Sequence, residues 1–164
     1  MFPDPIIPHA IPVKKVEGYQ MPEHSDNLLT WDFVVTQMTQ SKYYWLATTS
    51  GDGQPHAVPV WGIWDNNRVH FEGRPNTKWA RNLLRDSRIT VHLPDAEQVV
   101  IIEGNAYIIE DEEIDENEWR RLDTQFQTKY QVAQGSPYWY VQPTKVLAWN
   151  GGDLQTMTRW IFAD

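Results

Sequence analysis

The order of patterns between residues 43 and 93 constrains this chain more than any other feature. Residues 44–49 and 56–64 are rich in aromatic and β-branched side chains, the composition of half-buried strands. Ser50-Gly51-Asp52-Gly53-Gln54-Pro55 lies between them, and its glycines can take the positive φ of a tight turn. Asp65-Asn66-Asn67 forms a second turn into a strand at 68–72. The period then changes: Ala80, Leu83 and Leu84 fall at helical spacing over 76–86. Residues 87–93 return to alternation, with Ile89, Val91 and Leu93 on one side. Three strands, a short helix and a fourth strand predict a mainly β domain with helices laid on it.

The helix is entered through Gly73-Arg74-Pro75-Asn76-Thr77-Lys78. A helix N-terminus carries unpaired N–H groups and partial positive charge. Arg74, Thr77 and Lys78 beside it make a pocket suited to a phosphate. The same residues also suit a solvated, capped helix start. Earlier in the stretch, Pro59 cannot donate to a strand ladder, so it marks an edge or an irregularity. Such an edge offers its backbone to a ligand, or simply blocks aggregation.

At 164 residues the chain suits one domain with a substantial core. Its formal charge of −8 argues against a general nucleic-acid binder, which needs basic surface. There is no cysteine, so disulfides and thiol catalysis are excluded. His9, His24, His56, His70 and His92 lack the spacing and acidic companions of a metal site. No apolar run approaches a membrane span, and no leader pattern opens the chain, so a cytoplasmic protein is expected. His56 has the ordinary chemistry of a general acid or base, but directly after a turn it reads as solvated.

Residues 1–24 hold five prolines and read as an extended arm, either a loose tail or a strap over a partner subunit. The domain proper is expected over 25–164. A helix is predicted over 26–40, capped by Asp26 or Thr30 and buried through Leu28, Trp31, Val34, Val35 and Met38. Residues 99–109 read as a long strand, in which Glu103 needs a cationic partner, expected to be Arg88 or Arg159. An acidic segment leads into a helix over 112–130, with Trp119, Leu122, Phe126 and Tyr130 on one stripe. Strands at 144–149 and 155–162 close the chain around Asn150-Gly151-Gly152-Asp153. Nine tryptophans are many for this length, and each reads first as packing. Trp61, Trp79, Trp149 and Trp160 are the candidates for a planar ligand.

Several motifs occur in a telling order: Trp45-Leu46-Ala47-Thr48, Gly53-Gln54-Pro55-His56, Val58-Pro59-Val60-Trp61, Lys78-Trp79-Ala80-Arg81-Asn82-Leu83 with Asp86-Ser87-Arg88, Glu103-Gly104-Asn105-Ala106, Val146-Leu147-Ala148-Trp149 and Thr158-Arg159-Trp160. Over residues 28–162 this order and spacing resembles the pyridoxamine 5'-phosphate oxidase-like group, the split β-barrels that bind FMN or a deazaflavin. The resemblance implies a split barrel of about six strands with three or more helices. It implies a homodimer with FMN between the subunits and a small-molecule redox substrate. Gly73, Arg74, Thr77 and Lys78 would hold the phosphate, and Asn82 would support their loop. The backbone of Val58, Pro59, Val60 and Trp61 would line the ring. Trp149, Arg159 and Trp160 would meet the cofactor held by the other chain. No side chain is required as nucleophile or acid, so no catalytic residue is expected. The family's vitamin B6 oxidases end in Arg-x-His, whereas this chain has Arg159-Trp160-Ile161, so that substrate is not implied. A deazaflavin reductase and a non-enzymatic flavin or haem binder are the alternatives.

Overall fold

A computed structural model describes residues 8–19, 21, 27–109 and 114–162. The acidic run at 110–113, Asp26, and residues 1–7, 20 and 22–24 of the expected arm lie outside the described residues. Nine strands and three helices follow one another in the order β1 (His9–Pro12), α1 (Trp31–Gln40), β2 (Tyr44–Thr49), β3 (Pro55–Val60), β4 (Ile63–Asp65), β5 (Arg68–Glu72), α2 (Lys78–Arg85), β6 (Arg88–His92), β7 (Gln98–Ile109), α3 (Glu116–Tyr130), β8 (Tyr138–Asn150) and β9 (Asp153–Ile161). The strands pair antiparallel in the order β1-β9-β8-β7-β6-β2-β3, with β5 branching from β8 and carrying β4. The fold is thus mainly β, as expected, but with nine described strands rather than about six.

Pairing register shows why alternation along each strand becomes two unlike sheet faces. Leu46, Val91, Ile102, Val146 and Trp160 stand side by side across five strands, each 0–1% exposed. This row is the floor of the core. One residue along, on the opposite face, Pro59, Trp45, His92, Ile101, Leu147, Arg159 and Ile11 form a row across seven strands. All of these but exposed Pro59 are only half-buried. Residues 9–12 of the expected arm pair with the chain's own β9.

The helices lie on the inner side. Thr30 occupies the N-cap position of α1 without a capping side-chain bond, and the helix begins at Trp31. Trp31 meets Trp160 edge-on at 5.5 Å and Phe162 at 5.6 Å, while Val34 and Met38 are fully buried. α3 is capped by Asp115, which accepts from Asn117 and Glu118 N–H. Its Leu122, Phe126 and Tyr130 pack with Ile63 and Tyr138 in a second, smaller core.

The sequence pattern suggests one strand over 56–64, but the structure breaks it. β3 ends at Val60, and β4 begins at Ile63. The glycine at the break is sterically required: a Cβ at Gly62 would sit 2.7 Å from the His70 carbonyl. Glu103 also differs from expectation, since its carboxylate pairs with Lys145 at 2.7 Å, while Arg88 is bound to Asp86.

His70 is fully buried between these elements, with Nε2 3.2 Å from the Asp65 carbonyl. Burial lowers its pKa to about 4, against the opposing pull of Asp65. The unfolded chain therefore binds this proton first on acidification. The stability linked to His70 is full above about pH 6.5 and is lost as pH falls towards about 4, on the order of 3 kcal/mol in all. Urea unfolding between pH 7.5 and 4.5 should show this loss in the wild type and a shallower one in His70→Gln; equal slopes would contradict the assignment.

Candidate functional site

The loop at residues 73–77 joins β5 to α2 and is built on tryptophan. Gly73 lies so close to Trp79 that an added Cβ would be 2.3 Å from the indole. Both backbone groups of Gly73 are tied to β8 and its approach: its N–H donates to the Pro137 carbonyl at 3.3 Å, and its carbonyl accepts from Trp139 Nε1 at 2.9 Å. Trp79 then packs edge-on against Phe71 and Trp139, at 5.4 and 5.3 Å. The loop is therefore laid flat on a buried aromatic base.

Above that base the chain turns tightly, Thr77 N–H donating to the Arg74 carbonyl at 3.1 Å. Thr77 caps α2 by accepting from Ala80 N–H at 3.3 Å. Arg74 and Lys78 are exposed at opposite ends of this five-residue segment. The turn and cap thus hold two cations, a hydroxyl and a helix N-terminus within one short stretch, which suits an anion. Arg81 reaches back to the Asn76 carbonyl at 2.6 Å.

Asn82 points elsewhere. It is 6% exposed, and its Nδ2 donates to Thr48 Oγ1 at 2.9 Å. It ties α2 to β2, while the bond back to the loop comes from Arg81. β3 runs beside this helix as the free end of the strand order. Pro59 is exposed on that edge, directly opposite Trp45, and Val58 and Val60 face the core. Trp61 follows, 42% exposed, its ring stacked on Tyr130 at 4.8 Å and 9°.

The tryptophan candidates separate clearly. Trp79 and Trp160 are 6% and 1% exposed and belong to the core. Trp149 is half-buried beside Val99 on the outer face. Arg159 shares that face, and its Nε is buried without a hydrogen-bond partner among the described residues. A buried donor left unsatisfied is costly, which makes Arg159 a group in want of an acceptor. Trp160, one step along β9, faces the opposite way.

Two side chains at the strand break, Tyr130 and Lys129, were not read from sequence as more than helix residues. Tyr130 Oη accepts from Gly62 N–H at 2.9 Å and lies 2.7 and 2.8 Å from the Gly62 and Lys42 carbonyls, either of which can take its proton. Lys129 donates to Tyr44 Oη at 2.8 Å and to the Gly62 carbonyl at 3.1 Å. Burial raises the Tyr130 pKa to about 12 and lowers that of Lys129 to about 8. No local motif marks these contacts, which join residues 67–88 positions apart.

A wider concavity of about 490 Å³ lies on the outer face among Ala47, Thr90, Glu103, Asn105 and Thr144. Its charged groups are already engaged, Glu103 with Lys145 and Arg88 with Asp86, so it is less suited to a dianion. Among the described residues no cluster of histidine and carboxylate side chains is placed to hold a metal, and no helix is long and apolar enough to cross a membrane.

Together these features define a mainly antiparallel β protein with a cationic helix entrance and, among the described residues, a strand edge at β3 with no second neighbour. The family model for pyridoxamine 5'-phosphate oxidase matches residues 30–150. The chain belongs to that family. A conserved hypothetical protein from Mycobacterium tuberculosis shares the fold at TM-score 0.63 and 21% identity, over 77% of this chain and 88% of that one. A putative pyridoxamine 5'-phosphate oxidase from Listeria innocua matches at 0.58 and 17%, over 73% and 98%. An F420 reductase matches at 0.52 and 18%, over 67% and 93%. No curated protein matches.

Loss of the two helix polar groups should differ in size. Asn82→Ala strands the buried Thr48 hydroxyl and should cost about 2 kcal/mol in urea unfolding. Arg81→Ala removes an exposed contact and should cost under about 1 kcal/mol. The reverse ranking would contradict these placements.

Proposed function

We propose that this protein is a flavin-dependent oxidoreductase that binds FMN between two copies of the chain. The observation that carries the reading is the pairing of two features: a strand edge at β3 that has no second sheet neighbour among the described residues, and the cationic entrance of α2, a helix in contact with β3. An isoalloxazine needs hydrogen-bonding groups along its polar rim, and a 5'-phosphate needs fixed donors and positive charge. The backbone of Val58, Pro59, Val60 and Trp61 supplies the first. Arg74, Thr77, Lys78 and the first N–H groups of α2 supply the second, on a loop that Gly73 and Trp79 hold flat.

The second copy of the chain supplies what one copy lacks. The outer sheet face carries Trp45, Val99, Ile101, Leu147 and Trp149, all half-buried, and a continuous apolar surface of this kind favours a partner. Arg159 and Trp149 on that face would reach the flavin bound by the other subunit, which gives the orphaned Arg159 Nε an acceptor. Trp160 stays in its own core. When bound, the flavin supplies hydride or electron transfer, and the protein binds and orients it and excludes water. A small molecule then reacts at the exposed ring face beside Trp61.

The similarity to an F420 reductase supports a deazaflavin as the second reading. FMN is preferred because the longer, more anionic deazaflavin asks for a basic groove, and this chain carries a net charge of −8. Freshly purified protein should absorb near ~450 nm and bleach with dithionite; a band near ~420 nm selects the deazaflavin, and colourless protein that takes up neither refutes both. Lys78→Ala should weaken FMN binding by about 2 kcal/mol, roughly thirtyfold, through loss of a charge-assisted contact. Unchanged affinity in a fluorescence titration would remove Lys78 from the phosphate site.

A further inference from the structure

Lys129 stands apart from the flavin reading and from the other five lysines of the chain. It lies in the last turn of α3, on the wall of a second concavity of about 340 Å³. That concavity lies between α1, β4 and α3, lined by Thr39, Ile63, Trp64, Thr124, Gln125 and Thr128 along with Lys129. It is therefore largely apolar at its base and hydroxyl-rimmed on the helix side.

The surroundings of the amine are uncharged. From β2 comes the Tyr44 hydroxyl at 2.8 Å, from the strand break the Gly62 carbonyl at 3.1 Å, and from its own helix the Tyr130 ring at 5.6 Å. The Tyr44 ring lies under the nitrogen at 4.8 Å. α1 presents Thr39 to the concavity, and its Met38 carbonyl accepts from the same Tyr44 hydroxyl. The nearest acid on β4, Asp65, is held by Arg121 and Gln125, each at 2.8 Å. Among the described residues no carboxylate pairs with Lys129, whereas Lys145 is bound to Glu103. Two of its three donor positions are used by neutral partners.

We propose that Lys129 is a reactive amine that captures small apolar aldehydes in the α1–β4–α3 concavity as a reversible imine. The free amine adds to the carbonyl carbon and one of its protons passes to the carbonyl oxygen; that hydroxyl then leaves as water with the second amine proton as the C=N bond forms. Neither oxidant nor reductant is consumed. Ile63 and Trp64 give the hydrocarbon part of the aldehyde a dry surface, and Tyr44 Oη keeps the nitrogen in place. Burial helps by lowering the amine's pKa to about 8, which raises its unprotonated fraction near neutrality well above that of an ordinary lysine.

The test is competitive labelling of the full-length protein with benzaldehyde or formaldehyde and cyanoborohydride at pH 7.5, read by peptide mass spectrometry. Burial alone would make Lys129 the slowest site. The proposal requires the opposite: Lys129 labels roughly tenfold faster than Lys42 or Lys14, an advantage that narrows towards pH 10. Thr128→Phe fills the concavity from the outer side of α3, away from the amine's own hydrogen bonds. It should suppress benzaldehyde labelling of Lys129 and spare formaldehyde. If Lys129 reacts no faster than Lys42, the amine is merely structural and the proposal fails. If Thr128→Phe slows neither aldehyde, the concavity is not the binding site, and the proposal fails there.

Discussion

The fold depends on what happens at Gly62. One tyrosine hydroxyl at the end of α3 receives the Gly62 N–H and lies against the Gly62 and Lys42 carbonyls. These are backbone groups that a continuous ladder would have paired, and leaving them buried and unpaired would cost several kcal/mol. Tyr130, with Lys129 beside it, makes the break between β3 and β4 affordable. The consequence is topological. β3 remains paired to β2 as the end of one path, while β4 and β5 swing across to β8. The opening between those two groups of strands is where α2 and its cationic entrance sit.

The two sheet faces divide the labour. The inner row from Leu46 to Trp160 is dry and carries the cohesion of the domain, through burial and aromatic edge contacts with Trp31. The outer row is half-buried, apolar for most of its width, and interrupted by Arg159 and by His92, whose ring lies parallel to Trp45 at 6.2 Å. A guanidinium nitrogen buried without a partner on such a face is not a stabilising feature by itself. Under the proposed function it would become one when a polar ligand arrives from outside.

Much of this was legible in the sequence, because alternation and helical spacing are local. They located β2, β5, β6, β7 and β9 within a few residues, the second half of β8, three helices of which α1 begins five residues later than expected, and the turn chemistry at Gly53 and Asn66-Asn67, all three of which take positive φ. The break at Gly62 was not legible: Trp61-Gly62-Ile63-Trp64 keeps the composition of a strand, and the hydroxyl that ends it comes from 68 residues away. Asn82 and Arg81 show a finer limit. Both are polar and adjacent on a short helix, and only the 100° step between them decides which faces β2 and which faces the loop. Likewise the choice of Lys145 for Glu103 depends on a register that shifts at the neighbouring Gly104. Register of that kind is settled by long-range pairing, which no local window contains.

The central claim is that one cofactor spans the β3 edge and the α2 entrance. Hydrogen exchange with and without FMN tests it most directly. The β3 amides that point away from β2, and those of Lys78 and Trp79, should slow together by tenfold or more on addition of FMN, while α3 is unchanged. Protection confined to α3 and β4, or absent from both β3 and α2, would contradict the account.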